Sequence, residues 1–151
     1  LKVIYLLEQT KKGHAAAGFG VEFEWDIPLL DGYKHLYLKN HSKEPSSSTY
    51  KGIVLADKEL NELMLIEKPD LVFINGWFPK GLKQIINYCY KNKIKTICRG
   101  DSTLLMPGNN FKKAIKEIYI RNILSKINCF LYVGEENIKY YLQYGVIENL
   151  L

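Results

Sequence analysis

Two apolar rhythms run along the chain. Compact apolar runs at 2–7, 71–74, 94–98 and 129–133 predict strands. Between the later runs, apolar residues recur at three-and-four spacing and predict helices. The first of these spans 57–68, with Asp57 as a plausible N-cap and Leu60, Leu63 and Met64 inward. Pro69-Asp70 stops it. The second spans 80–92, burying Leu82, Ile85, Ile86 and Cys89. The third spans 111–125, with Phe111, Ala114, Ile115, Ile118 and Asn122 on one face. The fourth spans 135–144, and Gly145 is a natural left-handed cap behind it.

The first third is more broken. Residues 21–25 alternate apolar and acidic side chains and predict a short exposed strand, and 35–39 predict another. Residues 9–20 and 40–52 carry the glycines, alanines, serines and Pro45 of loops. Between the two short strands, 25–33 reads Trp-Asp-Ile-Pro-Leu-Leu-Asp-Gly-Tyr. That stretch is too apolar for a solvated linker and too punctuated for a helix, so it predicts a shaped loop. Regular strand–helix alternation with apolar strands predicts an α/β fold: a Rossmann-like three-layer α/β/α domain with a mainly parallel sheet. At 151 residues the chain has the length of one domain.

Composition narrows the functional classes. No apolar run approaches the roughly 18 residues of a membrane helix. The N-terminus reads as a strand rather than a secretory signal, so a cytoplasmic setting is expected. Cys89, Cys98 and Cys129 lie in apolar contexts without CxxC or Cys/His spacing, which predicts buried reduced thiols and no metal site. Net charge is +5 and the pI about 9.0, nearly all from lysine. That charge favours anionic partners, including the inner face of an anionic membrane, which the basic helix positions Lys112, Lys113 and Lys116 would suit. Without basic–aromatic interleaving or a helix-turn-helix pattern, nucleic acid is not an expected partner.

Ligands of parallel sheets gather at the carboxyl ends of the strands. Here those ends lead into Gln9–Gly20 with His14, Asn75-Gly76-Trp77, Arg99-Gly100-Asp101-Ser102 and Gly134-Glu135-Glu136. Arg99 follows a buried strand and is placed to fork onto a phosphate or carboxylate; an internal ion pair with Asp101 is the structural alternative. Asp26 and Asp31 suit acid–base work or hydroxyl binding, although Asp31-Gly32 is also a standard turn pair. Trp25 and Trp77 suit stacking on a sugar or base, or plain core packing. No GxGxxG, Walker or GxSxG pattern is present.

The stretch Phe19-Gly20-Val21-Glu22-Phe23-Glu24-Trp25-Asp26-Ile27-Pro28-Leu29-Leu30-Asp31-Gly32-Tyr33 resembles the N-terminal half of family-4 (group 1) glycosyltransferases of GT-B architecture. The likeness continues through Pro69-Asp70-Leu71-Val72-Phe73-Ile74-Asn75-Gly76-Trp77 and Arg99-Gly100-Asp101-Ser102. It ends at Tyr132-Val133-Gly134-Glu135-Glu136-Asn137 and Tyr140-Tyr141-Leu142-Gln143-Tyr144-Gly145-Val146. The resemblance implies the acceptor-side domain of such an enzyme, lacking its first βα unit and its C-terminal nucleotide-sugar domain. It implies transfer of a sugar from a nucleotide-sugar to a glycan or lipid-linked acceptor in cell-surface polysaccharide synthesis, with retention and without metal or other cofactor. The nucleotide-sugar is a substrate, and this half alone would be inactive. Arg99, Gly76 and Gly100 would face the cleft, and Asp26, Trp77, Asp101 and Glu135 would meet sugar hydroxyls. The alternative is a non-catalytic binding or membrane-docking module of a split two-chain transferase.

Overall fold

A computed structural model describes residues 1–8, 26, 28–104 and 110–151, excepting the side chains of 110–113. The chain divides into two compact units: Leu1–Leu63 with Pro79–Gly81, and Met64–Phe78 with Leu82–Leu151. Both are built on parallel strands with helices following them, an α/β architecture consistent with a Rossmann-like three-layer domain. The expected strand at 21–25, the loop at 9–20, Trp25 and His14 lie outside the described residues.

In the first unit, β1 (Lys2–Tyr5) pairs in parallel with β2 (Lys34–Tyr37). Tyr5 and Tyr37 sit side by side in that register and their rings stack at 5.1 Å. The Tyr33 hydroxyl meets that of Tyr5 at 2.5 Å and donates to the Leu29 carbonyl, tying the end of the 28–33 turn to β1. Its hydrogen bond with Tyr5 pushes the Tyr33 hydroxyl up to about 12. Asn40 orders the following loop: its Oδ1 accepts from the amides of Ser42 and Val54, and its Nδ2 donates to the Gly52 carbonyl. Helix α1 (Asp57–Glu67) starts at the predicted position and buries Leu60 and Met64.

In the second unit, β3 (Leu71–Asn75), β4 (Lys95–Arg99) and β5 (Cys129–Leu131) form a parallel sheet in that order. They alternate with α2 (Lys80–Lys91), α3 (Asn110–Leu124) and α4 (Glu135–Gln143), and a short 3-10 turn, Glu148–Leu150, closes the chain. Period-two alternation sends Ile74, Thr96, Cys98 and Phe130 to one face. There they join Ile86 of α2, Ile120, Ile123 and Leu124 of α3, and Tyr140 and Tyr141 of α4 in one core. The Phe130 and Tyr141 rings lie 4.7 Å apart. The opposite face carries Leu71, Phe73 and Leu131, each about half exposed.

The third helix differs from the face its sequence suggests. Ile115 and Ile118 are exposed, and Ile120, Ile123 and Leu124 are buried in their place. Positions 120, 123, 124 and 127 also recur at helical spacing, and it is this later stripe that meets Phe130 and Tyr141 in the core.

Candidate functional site

The register of the second sheet aligns the carboxyl ends of its strands: Asn75 lies opposite Arg99, and Arg99 opposite Leu131. Three loops therefore leave from one edge. The first is pinned when the Gly76 amide donates to the Arg99 carbonyl at 2.7 Å. Gly76 has φ +87°, a left-handed turn that favours glycine directly after a buried strand. The second loop passes over α4 at Gly100. A side chain on Gly100 would place its Cβ 2.8 Å from the Tyr141 hydroxyl, so the loop can lie this low only without one.

Asn137 joins the second and third loops. It is 2% exposed, its Nδ2 donates to the Ser102 carbonyl at 2.8 Å, and its Oδ1 accepts from the Val133 amide at 3.3 Å. One buried amide thus fixes the loop after β4 against the loop after β5. Helix α4 then starts at Glu135, with the Gly134 carbonyl accepting from Asn137 and Ile138. No side chain caps Gly134, so the first turn of α4 carries only the favourable charge of Glu135 and Glu136 at its positive end.

These loops enclose a cavity of about 300 Å³ lined by Asp101, Thr103, Val133, Gly134, Glu135, Glu136 and Asn137. Its polar character is acidic. Glu136 is held by Lys139 at 2.5 Å, whereas Asp101 and Glu135 are exposed carboxylates at its rim. Such a lining accepts hydrogen bonds from hydroxyl or ammonium donors and repels a diphosphate. Beneath it the titratable groups are held neutral. Burial pushes the Cys98 thiol up to about 12. Burial, followed by the neighbouring Cys98, pushes the Tyr141 hydroxyl to about 12. Tyr140 is raised further, chiefly by burial. Among the described residues, no three His, Cys, Asp or Glu side chains are grouped to hold a metal ion.

Of the residues singled out by sequence, Asp101 and Glu135 come together at this cavity. Arg99 stands at the end of β4 outside the lining. It is exposed, and it makes no ion pair with Asp101. Trp77 is 8% exposed and packs in the core against Tyr140, with ring centroids 6.5 Å apart. The Lys83 ammonium sits 5.5 Å from its ring centre, so Trp77 serves the core rather than a stacking platform. Asp26 and Asp31 are exposed in the first unit, and the Asp31 amide donates to the Pro28 carbonyl in a turn.

Sequence reasoning passed over Asn137, Thr103 and Val133. Asn137 had a readable signal: positions 137, 140, 141 and 144 recur at helical spacing, and the polar member of a buried stripe needs internal partners. Thr103 and Val133 line the cavity only because the two loops converge. No family model and no curated protein matches the chain.

Proposed function

We propose that the chain is the acceptor-binding portion of a glycosyltransferase that moves a sugar from a nucleotide-sugar to a hydroxylated glycan or lipid-linked acceptor. The observation that carries this reading is the acidic cavity where Asp101 and Glu135 meet across the loops clamped by Asn137. Carboxylates spaced around a shallow cavity are hydrogen-bond acceptors for sugar hydroxyls. Their charge disfavours the donor diphosphate, so the donor's phosphates belong against cationic groups elsewhere. The in-order likeness of 19–33, 69–77, 99–102 and 132–146 to group 1 transferases supports the same assignment. In this reading Asp101 and Glu135 orient the acceptor, and Arg99, an exposed cation on the same strand edge, faces the anionic donor.

The test is nucleotide release from a panel of UDP- and GDP-sugars by the full-length protein, in parent and variant forms. Asp101→Asn and Glu135→Gln should raise the acceptor KM, and Arg99→Ala should lower turnover. All three should leave the thermal midpoint in place, since each side chain is exposed. A variant whose activity merely tracks its folded fraction would make that residue structural. Absence of sugar-dependent nucleotide release across the panel would remove the transferase reading.

A further inference from the structure

Helix α3 (Asn110–Leu124) carries a second apolar stripe that the core does not use. Ile115 is 65% exposed, Ile118 71% and Tyr119 43%. At about 100° per residue these three fall within an arc of roughly 100°, opposite the buried stripe of Ile120, Ile123 and Leu124. Isolated exposed apolar residues are ordinary; two isoleucines one turn apart beside a tyrosine form a contiguous strip. Leu104, 42% exposed, precedes the helix in the same unit.

The charges around the strip have one sign. Along α3 the sequence places Lys112, Lys113, Lys116 and Arg121 against a single carboxylate, Glu117. Arg121 neutralises that carboxylate at 2.8 Å and also donates to the Gln143 carbonyl. The three lysine positions are therefore left as unbalanced charge on the helix. By spacing, positions 112 and 116 border the Tyr119 edge of the strip, and Lys116 is exposed. The Tyr119 hydroxyl accepts from Lys83, which fixes the ring on the helix face.

We infer that the first half of α3 is a docking face for an anionic lipid surface. The strip would sit at the boundary of headgroups and acyl chains, with the lysines at the lipid phosphates. Charge complementarity selects this occupant over a protein. Lysine is depleted at the centres of protein interfaces, whereas an apolar strip with a lysine border is the pattern of interfacial helices. The net charge of +5 adds long-range attraction to the same surface. The inference stands on α3 alone and does not depend on the transferase reading.

Co-sedimentation with vesicles tests it. One set is pure phosphatidylcholine; the other is equimolar phosphatidylcholine and phosphatidylglycerol. The chain should sediment with the anionic set, remain in solution with the neutral set, and be released by high salt. The double variant Ile115→Gln, Ile118→Gln keeps helix propensity and removes exposed side chains only, so circular dichroism should match the parent. Its vesicle binding should fall by roughly tenfold or more. Lys112→Gln, Lys113→Gln and Lys116→Gln should each lower it by about fivefold. Failure of the parent chain to bind anionic vesicles overturns the proposal, as does unchanged binding by the double variant. Sedimentation equilibrium separates the remaining possibility: a dimer lost in the double variant, without vesicle binding, would make the strip a protein interface and also overturn it.

Discussion

Replacing Asn137 with leucine should loosen the loops that form the cavity, by an amount the structure sets. The side chain is 2% exposed and bridges the Val133 amide and the Ser102 carbonyl. Leucine fills similar volume, so little cavity penalty is added. Two neutral hydrogen bonds are lost, at about 1 kcal/mol each. Val133 is exposed, so water can reach its amide; Ser102 is half-buried and keeps part of its desolvation cost. The sum is about 2 kcal/mol, or a thermal midpoint lower by roughly 4–8 °C for a chain of this size. Urea unfolding followed by circular dichroism should show a lower midpoint with an unchanged slope. Asn137→Asp should cost more, about 3 kcal/mol or above, because it buries a charge and turns an acceptor toward the Ser102 carbonyl. Burial raises that carboxyl's folded pKa above its unfolded value. Its penalty should therefore shrink as pH falls and grow as pH rises through the folded pKa. A leucine variant within about 0.5 kcal/mol of the parent would refute the clamp. So would an aspartate variant no worse than leucine at neutral pH.

Three further outcomes follow from individual residues. Thr96 is fully buried and its Oγ1 has no hydrogen-bond partner, so Thr96→Val should stabilise by about 1 kcal/mol in the same urea assay. Lys93 is exposed just beyond α2 (Lys80–Lys91) with φ 59°, a conformation glycine adopts freely. Lys93→Gly should therefore stabilise by about 0.5–1 kcal/mol, and Lys93→Val should destabilise. Burial raises Cys98 from 9.0 to about 12 and Cys89 from 9.0 to about 11. Their contribution is complete below pH 9.0 and is lost as pH rises through the folded values, so urea midpoints should fall steadily above that pH. Cys98→Ala should flatten this alkaline decline; an unchanged slope would show that the thiol is not desolvated.

Much of the second unit was legible because local and tertiary signals agree there. Apolar runs at 71–74, 94–98 and 129–133 became parallel strands within one or two residues of their expected ends. Ile86 and Cys89 are buried where helical spacing placed them, and Gly145 takes φ +85° behind α4. The third helix was less legible because its sequence holds two apolar stripes. Spacing cannot choose between 115/118 and 120/123/124; contact with Phe130 and Tyr141 makes the choice. Apolar strands also suggested cover on both faces, yet Leu71, Phe73 and Leu131 are half exposed. The edge of the sheet was found from strand order alone, and with it Asp101 and Glu135. Asn137 makes them one site through contacts across 35 residues of sequence, which no local pattern encodes.

The central claim is that the acidic cavity of this chain serves a hydroxylated acceptor and not the nucleotide. Isothermal titration of UDP, GDP and UDP-sugars into the 151-residue chain tests it most directly. The account predicts no tight binding of any of them, because Asp101 and Glu135 repel a diphosphate. Tight nucleotide binding by this chain, abolished by substitutions at the cavity rim, would contradict it.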